Sequence, residues 1–221
     1  MPSELPVMVL PRSILFPQAL LPLHIFEKRY CKMLKDILPK HRIFCIGTIR
    51  PNKRGEDDDE KEGIYDVLGV GLVRAAVDRT DGTTDLIVQG LCRARVLHFS
   101  KVKPYYKALI RPLASFGGDN VEADALSAKL TELVKVRAKL GTELPENVLK
   151  LLTSLQDPEA LSDLVSFSLL DNCHDKQKIL ETLDLRARLR KVIILLQKEI
   201  ERLQFFYKIQ SEPPPENLNL N

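Results

Sequence analysis

Phe116-Gly117-Gly118-Asp119-Asn120 is the point at which this chain changes its grammar. Two glycines and two helix-capping residue types stand between a first half written largely in short extended runs and a second half written in steps of three and four. Residues 1–116 therefore read as a β-rich subdomain carrying one helix. Residues 117–210 read as an all-helical bundle ending in a long helix, and 211–221 as a disordered tail. The fold class is α+β.

Backward from that switch, Tyr105 to Leu113 reads as the last strand, Leu91 to Phe99 as the one before it, and Leu86-Ile87-Val88 as a shorter separate one. Ala94, Val96 and His98 alternate with Arg93, Arg95 and Leu97, the period of two that gives a strand one buried face. Asp81-Gly82 supplies a hairpin turn, because glycine accepts positive φ at little cost, and Val67 to Val77 is the strand that enters it. Gly69-Val70-Gly71 within that strand has no third glycine and no following helix, so it marks close packing or a bulge, not a phosphate loop. Pro51 to Gly63 contains Lys53-Arg54-Gly55-Glu56-Asp57-Asp58-Asp59-Glu60. Clustered carboxylates attract hard cations, but this run lacks the alternating ligand spacing of a calcium loop and reads as a mobile, solvated hairpin tip. Ile43 to Ile46 is a short buried strand. Glu27 to Leu38 fits a single helix with Tyr30, Leu34, Ile37 and Leu38 on one side and Pro39 at its end. Leu5 to Leu10 and Leu20 to Leu23 are extended runs whose prolines favour strand ends or sheet edges. So many short strands joined by turns predict a small closed barrel or sandwich.

Forward from the switch, Leu126, Leu130, Leu133, Arg137 and Leu140 keep helical spacing, and Gly141 sits where a C-terminal cap belongs. Pro145 opens a short helix with Val148, Leu151, Leu152 and Leu155. Asp157-Pro158-Glu159 starts another that runs to about Leu170: aspartate caps free N–H groups, and proline loses nothing in the first turn. The last helix is expected in one piece from Lys176 to Gln210, with a packing seam of Ile193, Leu196, Ile200, Leu203 and Tyr207. Asp184 and Arg188 are spaced for an i,i+4 ion pair worth about 0.3–0.5 kcal/mol. Arg186, Arg188, Arg190 and Lys191 form the densest basic cluster. Positions two apart point about 200° from each other, so the cluster reads as a solvated helix surface rather than a phosphate patch.

Composition bounds the function. The 221 residues are 44% apolar and 29% charged, ordinary for a globular chain, and the net charge of +3 is too small to diagnose nucleic acid or an anionic membrane. Cys31, Cys45, Cys92 and Cys173 are far apart and fit free thiols in a reducing compartment. Leu5 to Phe26 is apolar but broken by four prolines and Arg12, with no basic n-region or cleavage site, so it is not a secretory signal. The chain is expected to be cytoplasmic and soluble. Phosphate-loop, nucleophile-elbow, His-Glu-x-x-His and Cys-x-x-Cys motifs are all missing. His24, His41, His98 and His174 are scattered. His24 and Cys31 flank the first helix and could form a thiol–imidazole pair, but no third orienting group is in view. His174 beside Cys173 reads as a cap or solvent-facing residue. No catalytic residue, cofactor or metal is expected, and the weight falls on binding.

A family resemblance sharpens this. Leu5-Pro6-Val7-Met8-Val9-Leu10-Pro11-Arg12, Ile14-Leu15-Phe16-Pro17 and Leu21-Pro22-Leu23-His24-Ile25-Phe26-Glu27-Lys28-Arg29-Tyr30 resemble the opening of the Lon protease N-terminal, or substrate-binding, domain, in the form of its small stand-alone members. Gly69 to Arg74, Asp81-Gly82-Thr83 and Val88 to Val96 are similar to its central hairpin. Leu161 to Val165 and Lys176 to Asp184 are similar to its helical half. The resemblance implies a pseudouridine-synthase-and-archaeosine-transglycosylase-like (PUA-like) barrel followed by a helical bundle. In Lon proteases this region helps recognise unfolded or tagged polypeptides and helps assemble the oligomer, ahead of an ATPase and a serine–lysine protease domain. The present chain ends soon after its long helix, so ATP-dependent proteolysis is not carried over.

The expected function is therefore a non-catalytic polypeptide-binding module, an adaptor in protein quality control. Its expected partners are unfolded or tagged polypeptides, with an ATP-dependent protease and a second copy of the chain as further candidates and no membrane. The alternatives are an RNA-binding PUA-like module and a regulatory subunit of a separate ATP-dependent protease. Leu15, Phe16, Leu20, Leu21 and Phe26 are the candidates for an apolar groove, with burial in the core as the alternative that any single one of them fits better. Arg12, Pro17, Pro22, Glu27, Arg29 and Tyr30 belong to the family motif and are expected to be structural, with Arg12, Glu27, Arg29 and Tyr30 holding the first strand to the helix by ion pairing rather than touching a ligand.

Overall fold

The computed structural model describes residues 1–50, 63–102, 104–118, 121–140 and 145–211. The acidic run at 56–60, the cap expected at Gly141 and most of the expected tail lie outside them. Six strands come first: β1 (Glu4–Val9), β2 (Leu20–Ile25), β3 (Ile43–Gly47), β4 (Val67–Asp78), β5 (Thr84–Val102) and β6 (Tyr105–Leu113), with α1 (Lys28–Ile37) between β2 and β3. Their order is β2-β5-β4-β3-β1-β6, and β6 pairs back onto β5. The ring β1-β3-β4-β5-β6 is thus closed. Only β1 and β3 run parallel; the other pairings are antiparallel. Closure removes the exposed edges that an open sheet would offer.

β5 is the organising strand. The sequence suggests two strands, 86–88 and 91–99, but the structure has one of 19 residues. At ~3.3 Å per residue it spans roughly 60 Å, enough to serve two sheets. Its second half pairs with β6 inside the barrel wall. Its first half pairs with β2 on one side and the end of β4 on the other, making a three-stranded extension beyond the barrel. Gly90, between the two expected strands, is a seat for a crossing chain. The Gly90 N–H donates to the Ala19 carbonyl at 2.9 Å and its carbonyl accepts from Gln18 N–H at 2.8 Å. A Cβ at Gly90 would be driven into the Phe16 carbonyl, and one at Gly69 into the Leu15 carbonyl. The bulge expected around Gly69-Val70-Gly71 is present, a register shift between Val70 and Gly71.

The barrel interior is a core of its own, with Leu5, Val7, Val9, Cys45, Leu68, Val70, Ala94, Ala108 and Ile110 turned inward. On the other face of the wall, Met8, Phe44 and Ile46 pack with Leu15, Phe16 and the buried side of α1, namely Tyr30, Met33, Leu34 and Ile37. The inward residues of the extension, Leu86, Val88, Val73 and Ile25, join the same cluster. α1 is tied down by the Tyr30 hydroxyl, which accepts from Val9 N–H at 3.0 Å and donates to Val9 C=O at 3.1 Å.

The helical half contains α2 (Val121–Lys139), α3 (Glu146–Ser154), α4 (Pro158–Leu169), α5 (Cys173–Glu181) and α6 (Leu185–Ser211). α4 starts as its sequence predicts: the Asp157 carboxylate accepts from Glu159 and Ala160 N–H at 3.0 and 3.3 Å, with Pro158 in the first turn. The final helix differs from expectation. It is two helices, parted at Thr182-Leu183-Asp184. No proline or glycine marks the break. Asp184 caps α6 by accepting from Arg186 N–H at 3.0 Å, and Phe116 pairs with the gap, its N–H to Leu183 C=O at 3.1 Å and its C=O to Leu185 N–H at 2.9 Å. The linker between the halves therefore supplies the partners that free those backbone groups from the helix. Among the described residues, no helix is long and apolar enough to cross a membrane.

Candidate binding surface

The three-stranded extension presents two faces, because successive side chains alternate. Its inner face is the core just described. Its outer face follows from register. Pro22 lies opposite Ile87, which lies opposite Ala75; His24 lies opposite Asp85, which lies opposite Val77; Leu20 lies opposite Gln89. Leu20, Val77 and Ile87 are 56, 62 and 38% exposed, and Pro22 and Ala75 are exposed beside them. Phe26, at 69% exposure, stands just past the end of β2. Together they make an apolar stripe running across three strands into water, on a sheet whose β2 edge has no further strand among the described residues.

Polar groups frame the far end of the stripe. His24 Nδ1 lies 2.7 Å from Asp85 Oδ1, and Arg79 Nε donates to Asp85 Oδ2 at 2.6 Å. These hydrogen bonds, His24 first and then Arg79, hold the Asp85 carboxyl below the usual carboxylate range. His24 and Phe26 stack with ring centroids 6.3 Å apart. Beyond Phe26 a pocket of about 440 Å³ opens between α1 and the 81–83 turn, lined by Lys28, Cys31, Lys32, Lys35, Asp81, Gly82 and Thr83.

The residues singled out in the sequence divide sharply here. Leu15 and Phe16 are fully buried within the crossing segment, packed against the glycines of β4 and β5, so they cannot form part of a surface. Leu20 and Phe26 lie in the stripe. Leu21 is half-buried on the inner face, packed against the core. The motif residues lie at the junction of β1, β2 and α1. Pro22 belongs to the stripe and Pro17 is half-buried in the crossing segment. Glu27 is the residue before α1 and pairs with Arg29 at 2.8 Å, while the Arg29 guanidinium lies over the Tyr30 ring at 4.7 Å. Arg12 is exposed in a turn with φ of 66°. The bond from helix to first strand is the Tyr30 hydroxyl on Val9; the Glu27–Arg29 ion pair stays local to the helix start. Ile87, Val77 and Ala75 were legible only as alternation, since Ile87 is flanked by inward Leu86 and Val88.

A second grouping escapes sequence reasoning altogether. At the joint between barrel and bundle, Arg93 of β5 and Arg188 of α6 are buried and converge on Asp163 of α4, itself buried. Arg93 pairs with Asp163 and with Glu159 at 3.2 Å, and its Nε donates to Leu180 C=O at 3.0 Å. Arg188 pairs with Asp163 at 3.2 Å and Glu159 at 3.3 Å, donates to Thr182 C=O at 2.8 Å and bonds Ser115 of the linker. The expected Asp184–Arg188 surface pair does not form, because Arg188 turns inward. Burial pushes the Asp163 carboxyl up against the pull of the two arginines. Burial also acts upward on Glu159, but the Ser115 hydrogen bond and the Arg188 and Arg93 charges outweigh it and hold that carboxyl low. The partners stand 25 to 70 residues apart, beyond any local pattern. Two neutral contacts complete the joint: Gln177 Nε2 donates to Val67 C=O at 2.9 Å, and Tyr65 Oη lies 3.0 Å from His174 Nδ1.

His24 and Cys31 do not pair; His24 meets Asp85, while Cys31 Sγ faces the Ile25 and Gly82 carbonyls. All four cysteines are free thiols. Among the described residues, no group of three His, Cys, Asp or Glu side chains is placed to hold a metal.

Comparison with known proteins gives this geometry a context. Residues 4–198 match the family described as the ATP-dependent protease La (LON) substrate-binding domain. The chain is 32% identical over 211 residues to a Lon protease of Dictyoglomus thermophilum, covering 96% of this chain and 26% of that protein. It is 31% identical over 211 residues to a Lon protease of Anaeromyxobacter dehalogenans, covering 95% and 25%. The chain thus spans about a quarter of the length of these relatives. Among solved structures, the N-terminal domain of the Mycobacterium avium complex Lon protease superimposes with a TM-score of 0.69 at 18% identity, covering 88% of this chain and 98% of that one. A Lon N-terminal domain protein from Xanthomonas campestris superimposes at 0.63 and 17%, covering 86% and 97%. These neighbours share the fold.

Proposed function

Because the chain belongs to the ATP-dependent protease La (LON) substrate-binding domain family, we propose that it recognises unfolded polypeptide on the outer face of the β2-β5-β4 extension and delivers it, as an adaptor in protein quality control, to an ATP-dependent protease. The observation that carries this reading is the register that aligns Pro22, Ile87 and Ala75 across three strands, with Leu20, Val77 and Phe26 exposed around them. Apolar burial contributes about 25 cal/mol per Å² without demanding a particular sequence, which suits a receptor for chains whose only common feature is exposed hydrophobic side chains. The recognition role belongs to residues 1–116 in this reading, and the helical half at 117–210 sets that unit on its base. Free thiols throughout fit work in the reducing cytoplasm.

The test is fluorescence-anisotropy titration of a labelled, permanently unfolded polypeptide, with labelled single-stranded RNA in parallel at two salt concentrations. Saturable polypeptide binding that tolerates salt and is weakened in Leu20→Ser and in Ile87→Ser is the expected result. Salt-sensitive RNA binding with no polypeptide signal would overturn it in favour of a phosphate-binding barrel.

A further inference from the structure

The pocket at the end of the stripe carries a charge pattern that the stripe lacks. α1 turns Lys28, Lys32 and Lys35 toward it, at the i, i+4 and i+7 spacing that puts three side chains on one face of a helix. All three are exposed. Lys32 shares its ammonium with Asp36 at 2.9 Å, while neither Lys28 nor Lys35 is paired with a carboxylate among the described residues. The one acid in the lining, Asp81, is turned onto its own loop: Oδ1 accepts from Thr83 N–H at 3.0 Å and from the Thr83 hydroxyl at 2.7 Å. The lining therefore holds three ammonium groups, that of Lys32 already shared with Asp36, against one engaged carboxylate, with the Phe26 ring at the rim.

We propose that this pocket takes the acidic flank of an extended polypeptide whose apolar segment lies on the Leu20, Pro22 and Ile87 stripe, so that the surface selects clients in which a hydrophobic stretch is followed or preceded by aspartate or glutamate. The proposal rests on the polypeptide-binding reading and gives that site a substrate class. The geometry supports it through continuity at the end of the sheet: β2 runs from Leu20 to Ile25 and Phe26 follows at once in the pocket lining, so a peptide extended along roughly 20 Å of β2 reaches the lysines by turning past Phe26. Charge complementarity supports an acidic occupant. A phosphate chain is the poorer fit, because the neighbouring stripe is aliphatic, its Phe26 and His24 rings are stacked on each other at one end, and bases need aromatic platforms to stack on.

The experiment uses labelled peptides with one common apolar core, flanked on either side by aspartates, serines or lysines, titrated into the full chain and into three variants. The wild type is expected to bind the aspartate-flanked peptide about five- to tenfold more tightly than the lysine-flanked one, a preference that shrinks with added salt. Lys28→Glu with Lys35→Glu inverts the preference, Lys28→Gln with Lys35→Gln abolishes it, and Ile87→Ser weakens all three peptides by a similar factor. Equal affinity for the three peptides, or a preference that survives charge reversal in a protein with an unchanged melting temperature, overturns the proposal and leaves the apolar reading standing. Failure of every peptide to bind overturns both. An oligouridylate that binds more tightly than the aspartate-flanked peptide, and loses that binding on charge reversal, assigns the pocket to phosphate and overturns it as well.

Discussion

At the joint between barrel and bundle this protein buries charge, and on the β2-β5-β4 extension it exposes hydrophobic side chains; each region inverts the usual placement of its residue type. The joint holds Arg93, Arg188 and Asp163 out of water, where desolvation is costly and only mutual pairing offsets it. The extension leaves Leu20, Phe26, Val77 and Ile87 in water, where nothing in the folded chain gains by it. The difference separates two kinds of importance. Damage at the joint should unfold the protein. Damage on the stripe should leave the fold intact and remove only what the stripe binds.

The largest expected effect comes from breaking the joint one-sidedly. Arg188→Met leaves Asp163 and Glu159 with one arginine between them, and urea denaturation should show a loss of about 3–5 kcal/mol. Replacing Arg93, Arg188, Asp163 and Glu159 together by apolar residues of similar volume should return stability to within about 1 kcal/mol of the wild type, since no buried charge is then stranded. A loss as large as that of the single variant would show that the charges fix how the halves dock. Tyr30→Phe is expected to cost about 1–2 kcal/mol, because the Val9 N–H and C=O lose their buried partner.

The stripe should behave in the opposite way. Ile87→Ser is expected to change stability by no more than about 0.5 kcal/mol. In the anisotropy assay it should weaken polypeptide binding by about 1–2 kcal/mol, the worth of one buried aliphatic side chain. A variant that unfolded the protein without touching affinity in the folded fraction would dissolve the contrast.

The smallest effect concerns acid. Asp85, held low by its hydrogen bonds to His24 and Arg79, and Asp81, held low by its hydrogen bonds to the Thr83 hydroxyl and N–H, both have folded values below their unfolded ones. Their contribution is therefore present above the ordinary aspartate range, about 3.9, and is lost only as the pH falls through the lower folded values. Carboxyl titration by NMR should give midpoints below that range for both.

Much of this was legible in the residues. The switch at Phe116-Gly117-Gly118, the Asp81-Gly82 turn and the Asp157-Pro158 helix start are local grammar, and each element stands within a few residues of its expected place. The errors fall where a local signal had a distant answer. Residues 86–88 and 91–99 read as two strands, but β5 runs through both, with Phe16 lying across Gly90 between them. Thr182-Leu183-Asp184 carries no breaker, yet the helix stops because Phe116 pairs with the gap. Leu15 and Phe16 are candidates for a groove or for the core, and their seat on the glycines of β4 and β5 puts them in the core.

The sequence by itself determined the family, the α+β order of elements and most of their boundaries, because periodicity, caps and turn residues act over a few positions along the chain. The tertiary structure alone decided which apolar residues face water and which charges do not. Ile87 and Leu86 are neighbours of one chemical kind, parted by the pleat and by which side of the sheet α1 covers. Arg188 and Arg190 share a helix and a charge, but only Arg188 turns toward Asp163 and Arg93. Exposure is a property of what packs from elsewhere, and register and long-range pairing are what bring it there.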